Sequence, residues 1–283
     1  MRYLEREPVS PARVVVERFW GLEIPSSALA QPSPVLPDGH VELLVHVGAP
    51  FLQLDSAGEV RQQARVLVAG QMTSALRLVA TPGGMVVGAR LRRWAAARVL
   101  GVPMSAMPNG VDTLAAVNPL LARRLSEHVD GRVSLEASMA AMECVLAEWL
   151  RLDRRRVPHP AHALVTAVNH IEATAGLVRV ETVADRVGVS RRQLERWFAT
   201  HVGLSPKQLL RVTRFQQVLA ALQEPEGARW PDLAVRLGYY DQAHFINDFR
   251  GFTGETPAAW AISDDSLTAV FTRGSAPGRR LGE

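Results

Sequence analysis

Arg192, Glu195 and Arg196 lie on one face of a segment that begins at Ser190, and Gln242, Ala243, Ile246 and Asn247 lie on the matching face of a segment that begins at Asp241. These side-chain types suit the edges of base pairs: arginine pairs in bidentate fashion with guanine, Gln and Asn pair with adenine, and a carboxylate accepts from cytosine. A separate set, His40, Glu42 and His46, falls on alternate positions of one strand together with Leu44. Two imidazoles and a carboxylate are the ligand set of non-haem iron oxygenases. The residues alone thus leave open base reading in a DNA groove and metal-dependent oxygenase or isomerase chemistry. His40 and His46 are about 20 Å apart along an extended strand, a poor spacing for one shared ion, so a strand face lining a ligand pocket is the plainer reading.

The base-reading faces sit inside a repeat. Ala184, Gly188, Leu194, Phe198 and Gly203-Leu204-Ser205-Pro206 return as Ala234, Gly238, Phe245, Phe249 and Gly254-Glu255-Thr256-Pro257. The alanines and turn glycines are 50 residues apart and everything after the turn is 51 apart, so the second turn carries one extra residue. Each copy predicts a helix closed by glycine and a second helix opened by a capping side chain, Ser190 or Asp241. A helix over about 206–223 joins the copies, a rod able to set two reading helices in successive major grooves.

Residues 160–262 resemble the DNA-binding domain of the AraC/XylS family of bacterial transcription regulators. The resemblance is carried by Gly238-Tyr239-Tyr240-Asp241-Gln242-Ala243-His244-Phe245 and by Phe249-Arg250-Gly251-Phe252-Thr253-Gly254-Glu255-Thr256-Pro257. It implies seven helices holding two helix-turn-helix units, with base reading by Arg192, Glu195, Arg196, Gln242, Ala243 and Asn247. Ala243 cannot hydrogen-bond a base and Glu195 repels phosphate, so the first unit is expected to carry more of the sequence reading. Expected phosphate contacts are Ser190, Arg191, Lys207, Arg211, Arg214 and Arg250, which position the protein without reading sequence.

Length and charge fit this picture. The 283 residues suffice for two domains with their own cores. The net charge is +4, Lys207 is the only lysine, and residues 151–229 hold 13 basic against 7 acidic side chains. Arginine suits phosphate and guanine, although a GC-rich genome gives the same bias. The single Cys144 excludes a disulfide framework and a cysteine zinc site. Its apolar helical surroundings predict a core thiol, which speaks against a reactive cysteine of the DNA-alkylation-repair kind. Arg2, Glu5, Arg6 and Glu7 interrupt any signal peptide and no run is long enough to span a bilayer, so a cytoplasmic protein without membrane contact is expected. No cofactor and no metal are expected.

Residues 1–110 read as β-rich, with apolar runs at 13–20, 41–47, 51–54, 65–69, 76–80 and 85–91 divided by turns such as Pro37-Asp38-Gly39 and Thr81-Pro82-Gly83-Gly84. Leu36-Pro37-Asp38-Gly39-His40-Val41-Glu42-Leu43, Ala69-Gly70-Gln71-Met72-Thr73 and Val87-Gly88-Ala89-Arg90-Leu91 resemble the cupin-like sensor domains that precede the DNA-binding domain in AraC-type regulators. Arg92-Arg93-Trp94-Ala95 departs from the Pro-Gly pair usual after that last segment. Residues 111–153 read as a helical hairpin broken at Gly131, its Met139 and Met142 stripe favouring a dimer seam over an internal core. A linker at 154–160, the DNA-binding domain at 161–262 and a disordered tail at 263–283 complete the plan. The expected fold is α+β with two domains: a cupin-like barrel or sandwich with its helical hairpin, then an all-α domain with two helix-turn-helix units. The expected function is a sequence-specific, dimeric transcription regulator, possible activator included, that binds double-stranded DNA. Its expected partners are a small-molecule effector, a second copy and RNA polymerase. A metal enzyme with a DNA-binding appendix and a nucleoid-type binder without sequence preference are the alternatives.

Overall fold

The computed structural model describes residues 1–55, 58–107, 109–129, 134–152, 162–222, 230–260 and 268. Ten strands lie in two antiparallel sheets. The first runs β1 (Arg2–Arg6), β2 (Val16–Glu23), β9 (Met85–Leu91), β4 (Glu42–His46), β7 (Val66–Ala69) and β10 (Val111–Thr113). The second runs β3 (Pro32–Val35), β8 (Leu76–Val79), β5 (Leu52–Leu54) and β6 (Val60–Gln62). Among the described residues no ladder joins the two sheets, so the β-rich half takes the sandwich form of the barrel-or-sandwich fold expected for it. Strict alternation on β4 gives this layering its physical basis. Leu43 and Val45 are fully buried in the larger core, while Glu42, Leu44 and His46 line a cavity between the sheets.

Five expected strands match β4, β5, β7, β8 and β9 to within a residue. The expected strand at 13–20 begins later, because Ser10 accepts from the Ala12 amide at 3.1 Å and opens a 3-10 turn over Pro11–Val14. The expected helix at 111 is displaced by β10, whose Val111, Asp112 and Thr113 pair with β7. A short α1 (Ala96–Leu100) follows β9.

The helices α2 (Leu114–Val117), α3 (Pro119–Val129) and α4 (Leu135–Leu152) then back the six-stranded sheet. Leu135, Met139, Met142, Leu146 and Trp149 are buried in this chain's own core, so the Met stripe is intramolecular and not a free dimer seam. Each such side chain contributes about 1.5–3 kcal/mol on burial. Gly21 on β2 lets α4 approach, since a Cβ there would meet Leu135 at 3.0 Å. Glu143, buried on the same helix, accepts from the Val9 and Ser10 amides at 2.9 Å and pairs with Arg6, which fastens the N-terminal segment. Cys144 is exposed, contrary to the core position expected for it: the Met stripe takes the core and leaves the thiol on the other side.

The C-terminal half contains α5 (His162–Ala173), α6 (Val180–Arg186), α7 (Arg191–His201), α8 (Pro206–Leu222), α9 (Trp230–Arg236) and α10 (Gln242–Thr253). Six helices replace the implied seven among the described residues, and residues 257–259 form a turn that brings Trp260 within 5.9 Å of Phe249. Both helix-turn-helix units turn at a left-handed glycine, Gly188 at φ 68° and Gly238 at φ 66°, a backbone that side chains with a Cβ resist. The stripe Phe215, Trp230, Phe245, Phe249 and Phe252 packs the second unit onto α8, with ring centroids 4.6–6.1 Å apart. The expected linker at 154–160, the break at Gly131 and all of the expected tail except Thr268 lie outside the described residues. Thr268 is buried, and its hydroxyl donates to the Pro34 carbonyl.

Candidate nucleic-acid interface and cavity

The second helix of each helix-turn-helix unit, α7 and α10, is opened by the side chain expected to cap it. Ser190 accepts from the Gln193 amide at 3.2 Å, and Asp241 accepts from the His244 amide at 2.7 Å. Leu194 and Phe198 turn inward on α7, leaving Arg192, Glu195 and Arg196 exposed on the opposite face. On α10, Phe245 and Phe249 turn inward, and Gln242, Ala243 and Asn247 are exposed. Glu195 is held at 2.9 Å by Arg191, which also reaches Glu181 at 3.0 Å. Such exposed pairs contribute little to stability and yield readily to a polyanion. Arg196 donates to the Gln193 amide oxygen. Helix α8 spans 17 residues, about 25 Å, between the two units.

The six residues read as phosphate contacts fall into two groups. Ser190, Arg191, Lys207 and Arg250 are exposed. Arg211 instead pairs with buried Asp248 at 2.7 Å and lies over the Phe252 ring at 5.4 Å. Arg214 donates to the Gly176 carbonyl at 3.0 Å and lies over the Tyr239 ring at 5.3 Å. Both arginines serve the joint between α8 and its neighbours.

His40, Glu42 and His46 line one cavity of about 790 Å³, counting its open mouth. Its walls are mostly apolar, with Trp20, Leu44, Phe51, Leu67 and Leu78 prominent, and its polar end is built on Arg90. That guanidinium is buried and bonds Asp38 at 2.8 Å and Glu42 at 2.8 Å. Burial opposes the charge of all three groups. The Arg90 guanidinium nevertheless holds the Asp38 carboxyl below the usual range, with His40 assisting. At Glu42 burial prevails over Arg90 and pushes the carboxyl upward. Together the two carboxylates keep Arg90 firmly protonated.

Neither histidine is cationic near neutrality. Burial, then the charge of Arg93, drives His40 well below its ordinary range, and its Nδ1 donates to the Leu91 carbonyl at 3.2 Å. Burial brings His46 down to about 4. The Nε2 of His46 donates to the Gln63 amide oxygen at 3.1 Å, which leaves Nδ1 a bare acceptor with no hydrogen-bond partner. The three foreseen residues therefore share a cavity, yet each has its own protein partner. Among the described residues no cluster of three or more metal-ligating side chains is present.

Sequence reading missed Arg90, Asp38 and Gln216 as cavity residues. One signal was available: Arg90 is the only charge within the apolar run Met85–Leu91, and such a charge inside a strand demands a partner. Register supplies that partner, since Glu42 pairs directly with Arg90 across β4 and β9.

The cavity ends on the DNA-binding half. Gln216 of α8 lines it and donates to the Pro37 carbonyl at 2.6 Å. Gln71 donates to the Gly39 carbonyl at 3.2 Å and to the Val202 carbonyl, just past α7, at 2.8 Å. Arg93 bridges the Asp38 carbonyl at 2.9 Å and Glu172 of α5 at 2.6 Å. Gly39, at φ 76°, lies against Leu209 and Val212 so closely that a Cβ would meet Leu209 at 3.1 Å. The loop carrying Asp38 is thus pressed on α8, the helix that joins the two helix-turn-helix units.

Residues 183–262 match a family profile described as a helix-turn-helix domain, and residues 5–111 match a domain of unknown function, DUF6597. No curated protein matches the chain. Among solved structures, ToxT from Vibrio cholerae is 8% identical over 91% of this chain and 97% of its own, with a TM-score of 0.45. ToxT from strain SCE256 with bound unsaturated fatty acid is 10% identical over 91% and 95%, with a TM-score of 0.42. The AraC-like transcriptional activator CuxR is 15% identical over 72% and 74%, with a TM-score of 0.23.

Proposed function

We propose that this chain is a DNA-binding transcription regulator of AraC type, its residues 183–262 matching a helix-turn-helix domain, and that the cavity in its β-rich half holds a small-molecule effector. One observation carries the DNA part. Two capped helices present exposed polar faces, Arg192, Glu195 and Arg196 on α7 and Gln242, Ala243 and Asn247 on α10, on either side of a single rod. In this reading those residues meet base edges in successive major grooves, with α7 the more discriminating. Ser190, Arg191, Lys207 and Arg250 meet phosphates, while Arg211 and Arg214 keep α8, α10 and the turn at Gly176 aligned. The effector part is supported by Gln216, which belongs both to the cavity wall and to α8. A ligand that moves the loop at Pro37 moves a group bonded to the DNA-binding half. A second copy of the chain and RNA polymerase belong to this reading as partners. With the Met stripe used internally, any dimer forms through another surface.

The test is selection of bound fragments from a random DNA pool at near-physiological salt, with the Arg192/Arg196 double alanine variant run in parallel. Two half-elements about one helical turn apart, lost in the variant, are the expected result. Fragments without a common motif from the full chain and from the C-terminal half alike would overturn the reading.

A further inference from the structure

Resting on the reading of the cavity as an effector site, we infer that its ligand is an uncharged, largely hydrocarbon molecule whose hydroxyl donates to Nδ1 of His46. The first ground is that the charged side chains of the wall are already answered by protein groups. Arg90 bonds Asp38 at 2.8 Å and Glu42 at 2.8 Å, and Asp38 also accepts from the His40 amide at 2.9 Å. Burial pushes Glu42 toward its neutral form, and Arg93, the further cation acting on Asp38, is paired with Glu172 at 2.6 Å. The neutral groups are bonded as well, His40 to the Leu91 carbonyl at 3.2 Å and Gln216 to the Pro37 carbonyl at 2.6 Å. A carboxylate entering here would have to displace an acid from Arg90, and an ammonium would have to displace Arg90 from its acids. Either ion would also give up its water to a mostly apolar wall, a heavy cost for a charge without a partner.

The second ground is one imidazole nitrogen. His46 is 1% exposed and lines the cavity, its Nε2 donates to Gln63 at 3.1 Å, and the Phe51 ring meets it edge-on with centroids 5.0 Å apart. Its Nδ1 is left as a buried acceptor without a partner. Burial brings the imidazole down to about 4, so near neutrality Nδ1 offers a lone pair and not a proton. An unpaired buried acceptor is costly, and a ligand hydroxyl removes that cost on arrival. From His46 toward Glu42 the wall runs about 13 Å along β4, with Leu44 on the strand and Trp20, Phe51 and Leu78 around it. A donor at the His46 end and hydrocarbon along the rest match that distribution.

Calorimetric titration of the full chain tests this with probes built on one phenylbutyl frame: the alcohol, its methyl ether, the carboxylate and the amine. The alcohol should bind about tenfold or more tightly than either charged probe. It should also bind about three- to tenfold more tightly than the ether, which accepts a hydrogen bond but cannot donate one. His46→Phe should bring alcohol and ether to the same affinity while the charged probes stay weak. Should that variant fail to fold, Leu44→Trp, which fills the hydrocarbon stretch and keeps the polar groups of the wall, must abolish binding of the alcohol. A charged probe that binds as tightly as the alcohol, an ether that equals it on the wild type, an advantage over the ether that survives His46→Phe, or binding of no probe overturns the assignment. The same probes added to complexes with a selected DNA fragment separate this inference from the reading it rests on. Alcohol binding that leaves DNA affinity unchanged supports the ligand class and removes the effector role. A carboxylate or amine that alters DNA affinity keeps the effector role and overturns the ligand class.

Discussion

The side-chain amide of Gln216, midway along α8, donates to the Pro37 carbonyl at 2.6 Å and so closes the cavity with a group from the DNA-binding half. A buried carbonyl left without its donor costs about 1–3 kcal/mol. Gln216→Leu keeps the volume and removes the bond. Hydrogen exchange of residues 36–40 should accelerate by about tenfold, read by mass spectrometry, while the strands of the sandwich stay protected. Unchanged protection of that loop would mean that Gly39 packing alone holds it.

Arg196 and Lys207 are both exposed cations near the first reading helix, but they are assigned different roles. Arg196→Ala should weaken binding to the selected site by about 1–3 kcal/mol and relax preference at one base position. Lys207→Ala should weaken all sequences alike and lower the slope of affinity against salt by about one. Anisotropy titrations on selected and scrambled DNA over a salt series distinguish them. Equal losses on both DNAs for Arg196→Ala would return it to the phosphate group.

Arg211 is expected to behave as a structural residue. Asp248 is 5% exposed, so Arg211→Ala would strand a buried carboxylate at a cost of about 3–5 kcal/mol, reduced to the extent that water reaches it. The melting temperature should fall by several degrees, and Asp248→Asn introduced beside it should recover part of the loss. A variant that melts like the wild type and shows a flatter salt slope would place Arg211 on DNA instead.

The histidines make stability depend on pH. In the unfolded chain His46 titrates near 6.5, and in the fold near 4. Between those values the unfolded state holds more protons, so the stabilisation is full above about pH 6.5 and is lost as pH falls toward 4. For His46 the loss reaches about 3 kcal/mol, and His40 adds in the same direction. Thermal melts between pH 7 and 4 should decline more steeply for the wild type than for His46→Phe. Parallel profiles would mean that His46 is solvated enough to charge in place.

What could be read from the sequence was whatever depends on neighbours along the chain. Ser190, Asp241 and the two turn glycines act within a few residues, and the alternation His40, Glu42, Leu44, His46 needs only the two-residue period of a strand. What could not be read depends on distant partners. Arg90 meets Glu42 through sheet register, and Gln216 meets Pro37 across 179 residues. The helix around Cys144 is apolar on several sides, so periodicity did not say which side faces the sheet. Edge strands were hidden for another reason. β1 is mostly charged, β3 carries Pro32 and Pro34, which suit an unpaired edge, and β6 is exposed throughout.

The alternation on β4 has an evolutionary consequence. Leu43 and Val45 face the core, whereas Glu42, Leu44 and His46 face the cavity, where Glu42 is also tied to Arg90 and His46 to Gln63. Two independent selective pressures are therefore interleaved residue by residue on one five-residue strand. On the effector reading, Leu44, which has no polar partner to keep, is the cavity-facing position of this strand at which ligand preference can change at least structural cost, and it is where a designer would begin to retune it.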